Sequence, residues 1–147
     1  QTDRMMLHVL PAAAKTLGGL GFKAYTATKS GAKFHVFLYD SKHGGLTAIL
    51  EADHLGQVRT GAASGVATRK LARPDAATVG LYGTGKQART QLLAVCKVRP
   101  VTRVRVYGRD ADRRRAFAEQ MAKECGTEVV PVATPEEAAK GLDIVIT

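Results

Sequence analysis

The stretch Ala77-Thr78-Val79-Gly80-Leu81-Tyr82-Gly83-Thr84-Gly85-Lys86-Gln87-Ala88-Arg89-Thr90-Gln91-Leu92 decides the fold. Val79, Leu81 and Tyr82 form the short apolar run that a parallel strand shows when both its faces are covered. Gly83-x-Gly85-x-x-Ala88 follows at once and fits the dinucleotide-binding fingerprint, with alanine in the third place. Each small residue has its own reason. Gly83 permits a tight turn, Gly85 lets the backbone approach a diphosphate, and Ala88 lets the next helix pack closely on the strand. The free N–H groups and positive dipole end of that helix then face the anion. Glycine turns also join strands to helices where nothing binds, so the motif needs its surroundings.

Downstream, the surroundings agree. Thr102-Arg103-Val104-Arg105-Val106-Tyr107 is a second strand. A helix is expected from about Gly85 to Val98, with Ala88, Leu92 and Val95 on one face. Another is expected from Ala111 to Cys125, with Phe117, Met121 and Cys125 at four-residue intervals. Glu128–Pro131 is a third strand, Thr134-Pro135-Glu136-Glu137 opens a short helix, and Leu142–Ile146 is a fourth strand. Strands alternating with helices predict an α/β, Rossmann-type, doubly wound parallel sheet, of which residues 74–147 are the truncated N-terminal part.

Upstream, the pattern changes. Met5–Leu10 is a short apolar segment, followed by Pro11 and a small-residue stretch closed by Gly18-Gly19. Gly21–Thr26 reads as a strand, then a polar loop runs through Lys33. Phe34–Tyr39 and Leu46–Leu50 form an antiparallel hairpin around the Asp40–Gly45 turn. Asp53 to Leu71 reads as a bridging helix with Leu55, Val58, Ala62, Val66 and Leu71 near helical spacing. Its Gly56, Gly61 and Gly65 each cost about 1 kcal/mol relative to alanine, which points to close approach by another helix or a ligand. The domain boundary is expected after Arg73, giving a β-rich part over 1–73.

Composition excludes several classes. No apolar run approaches the roughly 18 residues of a membrane span. The net charge of +9 invites a nucleic-acid reading. Against it, only Arg113-Arg114-Arg115 cluster, and Asp110, Asp112 and Glu119 stand nearby, as on a solvated helix face. His8, His35, His43 and His54 lack metal-ligand spacing, so no metal site is expected. Cys96 and Cys125, far apart in sequence, read as buried free thiols in a reducing cytoplasm. With no initiator Met and no signal peptide, the chain reads as an internal fragment of a longer protein.

The nucleotide can be narrowed. An NAD-specific sheet usually ends its second strand with an acid for the ribose hydroxyls. Here Tyr107 is followed by Gly108 and Arg109. Gly108 leaves room for a 2′-phosphate and Arg109 can pair with it, so NAD(P) binding is expected with NADP(H) favoured. Two alternatives stay open: Asp110 serves the ribose, or Arg109 is only solvated.

These residues together resemble the ornithine cyclodeaminase/mu-crystallin family. The resemblance rests on Gly21-Phe22-Lys23-Ala24, Leu50-Glu51-Ala52-Asp53, Arg59-Thr60-Gly61-Ala62-Ala63-Ser64 and the 79–88 motif, in that order. It implies a homodimer whose subunit has a β-rich substrate and dimerisation domain beside the NAD(P) domain. It also implies hydride transfer at the α-carbon of a small α-amino or α-imino acid. The outcome is either ornithine cyclodeamination to proline and ammonia or imine reduction. A non-catalytic NADP(H)-binding protein of the mu-crystallin kind is the alternative.

The same resemblance assigns roles. Lys23 lies beside the substrate carboxylate and amine and is the candidate catalytic residue; otherwise it is a solvated lysine on a strand. Arg59 holds the carboxylate near the nicotinamide and touches the cofactor; otherwise it pairs with Glu51 or Asp53. Thr60, Gly83, Gly85, Lys86, Gln87 and Thr147 contact the cofactor, and Arg109 joins them at the ribose. Gly108 stands where an NAD-using cyclodeaminase has its ribose acid, which favours a reductase. The family's catalytic aspartate falls after Thr147 and a further substrate arginine before Gln1.

Overall fold

A computed structural model describes residues 5–28 and 31–147. Contacts divide the chain into two compact units, Gln1–Gly56 and Gln57–Thr147. The divide falls inside the bridging helix, whose Gly61 and Gly65 pack within the second unit.

The first unit is an antiparallel sheet in the order β1 (Met6–Ala14), β2 (Gly19–Thr28), β3 (Gly31–Asp40) and β4 (Leu46–Glu51). β1 runs through Pro11, longer than the apolar segment predicts. Pro11 faces Phe22 on an edge strand, where a missing N–H is tolerated. β2 and β3 also exceed their expected bounds. Of the predicted polar loop, Gly31–Lys33 belong to β3, and Lys29 and Ser30 lie outside the described residues. Period-two alternation lines up His8, Tyr25 and Phe34, whose rings stack at 4.4 and 4.8 Å. Leu7, Val9 and Ile49 remain more than half exposed.

The second unit is the expected parallel sheet, in the order β7 (Glu128–Pro131), β6 (Arg103–Tyr107), β5 (Thr78–Tyr82), β8 (Ile144–Ile146). Val79, Leu81, Val104 and Val106 are fully buried with Leu92 and Val95 of α2 (Lys86–Val98) and Met121 of α3 (Ala111–Cys125). Cys96 and Cys125, half-buried and free, meet between those helices. The hydrogen bond with Cys125, and burial, push the Cys96 thiol up, so it stays protonated.

Two expectations need correction. Thr134–Lys140 forms turns, not a helix: Ala138 N–H donates to Pro135 O, and Ala139 and Lys140 N–H to Glu136 O. The segment is pressed onto β5, with Ala138 O 1.8 Å from where a Cβ on Gly80 would stand. Asp143 is not in the fourth strand. Its carboxylate accepts from Ala77 N–H (3.0 Å), Thr78 N–H (3.0 Å) and the Thr78 hydroxyl (2.8 Å), and it pairs with Arg73.

α1 (Asp53–Leu71) has the expected bounds. Its apolar residues Leu55, Val58, Val66 and Leu71 are exposed, and its buried residues are Gly61 and Gly65. A Cβ on Gly61 would lie 2.4 Å from Thr90 O, and one on Gly65 3.1 Å from Ala94 Cβ. The approaching body is therefore α2. Among the described residues, no helix is long and apolar enough to cross a membrane, and no group of side chains could hold a metal ion.

Candidate functional site

The site begins at the carboxyl edge of the parallel sheet, where β5 turns into α2. Gly83 has φ +101°, a conformation that glycine alone adopts readily, and its N–H donates to Tyr107 O at 2.8 Å. Gly85 has an ordinary φ of −96°, so its reason is space rather than conformation. A Cβ on either glycine would meet nothing within 4 Å. Gly85 is the N-cap of α2 and offers no side-chain cap, which leaves first-turn N–H groups without an intrahelical partner. Lys86 and Gln87 are exposed in that first turn. Orphan donors, a dipole end, a lysine and open space over the two glycines all suit a diphosphate.

The β6–α3 turn forms the next wall. Arg109 is exposed and makes no salt bridge among the described residues. Asp110 caps α3, accepting from Asp112 N–H and Arg113 N–H at 3.0 Å each. These bonds, with the Arg113 and Arg114 charges, hold its carboxyl below the usual range. The room that the sequence assigns to Gly108 is occupied, since a Cβ there would lie 2.9 Å from Thr84 Cγ2.

α1 supplies a third wall. Gly61 rests on Thr90 and Gly65 on Ala94, so α1 and α2 run side by side in the same direction. Arg59 and Thr60 therefore fall near the first turn of α2. Arg59 is exposed; Asp53 pairs with Lys33 at 3.8 Å and accepts from Phe34 N–H at 2.8 Å, so it is committed elsewhere than to Arg59. Ser64 Oγ donates to Gln91 Oε1 at 2.8 Å and ties the two helices. Thr147 follows β8 and borders a cavity of about 270 Å³ shared with Ser64, Thr68 and Gln91.

The family model for the ornithine cyclodeaminase/mu-crystallin family matches residues 1–147. The chain belongs to that family. It is 36% identical over 146 residues to the Delta(1)-pyrroline-2-carboxylate reductase of Bacillus cereus, covering 95% of this chain and 45% of the relative. The chain thus spans about half the length of the curated relatives it matches. The probable ornithine cyclodeaminase from Bordetella pertussis superposes with a TM-score of 0.94 at 27% identity, over 100% of this chain and 46% of that one. The Thermococcus litoralis Delta(1)-pyrroline-2-carboxylate reductase, solved with NADH and L-proline, superposes with a TM-score of 0.81 at 31% identity, over 97% and 51%. The family's nicotinamide-dinucleotide fold accounts for the parallel unit.

The structure thus brings Arg59, Thr60, Gly83, Gly85, Lys86 and Gln87 to one end of the α1–α2 pair. Arg109 and Thr147 sit at the carboxyl ends of the strands flanking β5. Lys23 lies in the antiparallel unit. Its Nζ stands over the Tyr25 ring at 5.2 Å and the Phe34 ring at 5.5 Å, beside an apolar groove of about 390 Å³ that includes Leu10, Ala12, Gly21 and Val36. Lys23 makes no salt bridge among the described residues. Sequence reasoning missed Arg114, which turns back onto the β6–α3 turn. Its only signal was the 113–115 arginine run, which reads as a solvated face.

Proposed function

We propose that this chain is part of an NAD(P)-dependent enzyme that acts on small α-imino or α-amino acids, with imine reduction as its reaction and NADP(H) its preferred cofactor. The observation that carries the reading is the uncapped start of α2 after Gly83 and Gly85, with open space over both glycines and with Arg109 exposed after the neighbouring strand β6. The Asp110 carboxylate caps α3 through Oδ1, and Arg109 stands exposed in the same turn. That favours a 2′-phosphate paired with Arg109.

When bound, the nicotinamide supplies the hydride for the α-carbon. The chain's own residues bind and orient the rest. Arg59, near the first turn of α2, offers a two-pronged guanidinium to the substrate carboxylate, and Lys23 offers its ammonium to the carboxylate and imine nitrogen. Lys86 and Gln87 flank the diphosphate, Thr60 contacts the cofactor, and Thr147 borders it after β8. Residues 1–73 serve as the substrate and dimerisation part and 74–147 as the nucleotide-binding part. A homodimer fits the exposed Leu7, Val9 and Ile49 of the antiparallel sheet, and a cytoplasmic setting fits the two free thiols. No nucleic-acid or membrane partner is part of this reading.

Cyclodeamination is the second reading, favoured by the close superposition on the Bordetella fold. The test is to titrate the full-length protein with NADPH and NADH, then supply a cyclic imino acid or ornithine and follow the nicotinamide absorbance. Stoichiometric NADPH oxidation with the imino acid establishes the reductase. Proline and ammonia from ornithine with catalytic NAD+ establish the lyase. Binding without turnover of either marks a cofactor-binding protein.

A further inference from the structure

The three arginines of residues 113–115 do different things. Arg115 pairs with Asp112 on the helix surface. Arg113 contributes its backbone N–H to the Asp110 cap. Arg114 instead turns back over the end of β6: its Nη1 donates to Gly108 O, its Cζ lies 5.8 Å from the Tyr107 ring centroid, and its Nε is buried without a hydrogen-bond partner. A helix-surface arginine needs none of this. Leaving a guanidinium nitrogen buried and unpaired is costly, so the geometry calls for an account beyond solvation.

The account lies in what Arg114 holds. Gly108 is pressed against Thr84 of the glycine turn on one side and clamped through its carbonyl by Arg114 on the other. Asp110 is pinned by its cap. Arg109, between the two, has its backbone fixed at both ends while its own side chain stays exposed. A fixed backbone restricts the directions a long side chain can take, which lowers the ordering cost of pairing with a phosphate.

We propose that Arg114 is a positioning residue for 2′-phosphate recognition: by holding Gly108, it presents Arg109 to the phosphomonoester on the adenosine ribose. The inference rests on the NADP(H) reading and adds the device that sets its selectivity. The planar fork and ring contact are features that lysine does not reproduce.

The experiment uses the full-length protein, with NADPH, NADH, 2′,5′-ADP and 5′-AMP as calorimetric probes and thermal midpoints recorded alongside. Arg114→Gln should weaken NADPH and 2′,5′-ADP about tenfold and leave NADH and 5′-AMP within about twofold. In an Arg109→Gln background the same change should cost nothing further, because Arg114 acts through Arg109. Arg114→Lys, which keeps a donor for Gly108 O, provides the folded alternative and should still lose part of the NADPH preference. Equal weakening of all four probes, or an unchanged preference in both variants, overturns the inference. A wild-type protein that binds NADH as tightly as NADPH overturns the cofactor reading first. A wild-type preference that survives Arg114→Gln overturns only the role of Arg114.

Discussion

The Cβ that Gly61 lacks would stand 2.4 Å from the carbonyl oxygen of Thr90. That single approach lets α1 lie on α2, and with it brings Arg59 and Thr60 to the end of α2 where the glycine turn begins. Because the neighbour is backbone, it cannot move aside as a side chain would. Gly61→Ala gains about 1 kcal/mol of helix propensity but incurs overpacking of ~1–3 kcal/mol or more, so the net effect is destabilising. Gly56→Ala is the control. Nothing lies within 4 Å of its added Cβ, so it should stabilise the fold by about 0.5–1 kcal/mol. Denaturant unfolding of the two variants should move in opposite directions.

Gly85→Val should separate folding from binding. The position has an ordinary φ and open space around it, so the thermal midpoint should hold. The new side chain enters the open space beside the first turn of α2, and the Kd for NADH and NADPH should rise alike by at least about tenfold. Unaltered binding would mean that no diphosphate lies there.

Asp143 makes the parallel unit sensitive to acid. Bonds from Ala77 and Thr78, with the Arg73 charge, hold its carboxyl well below the usual carboxylate range. A folded-state pKa below the unfolded one contributes stability that is present above about pH 4 and is lost as pH falls through the folded value. Asp143→Asn should lower the midpoint at neutral pH and flatten that acid limb. Midpoints recorded from neutral to strongly acidic pH decide it, and an unchanged acid limb would rule out Asp143 as its source.

Lys23→Met should leave cofactor titrations unchanged while removing imino-acid turnover. Arg59→Lys should raise KM for the same substrate through loss of the bidentate grip, by about tenfold. Steady-state kinetics alongside cofactor titration give both readouts. Full turnover by Lys23→Met would remove Lys23 from the site.

Much of this protein was legible in its sequence because short-range chemistry dictates it. Gly83 and Gly85, the run from Val79 to Tyr82, and the spacing of Leu92 and Val95 specify strand, turn and helix through conformational freedom and periodicity alone. The Thr134–Glu137 segment was misread because a local helix signal lost to the pressure of Ala138 against Gly80. The close approach at Gly61 and Gly65 was legible from the cost of glycine inside a helix, but the identity of the partner, α2, was not.

What the sequence by itself determined is the glycine turn with its strand and helix, which depends on residues a few positions apart, and the family, which depends on motifs in a fixed order along the chain. Only the tertiary structure decided that α2 covers the glycines of α1, that Thr84 fills the space at Gly108, and that Arg114 grips the carbonyl six residues before it. Those depend on which surfaces meet, and close packing is set jointly by both partners, which no one-dimensional pattern records.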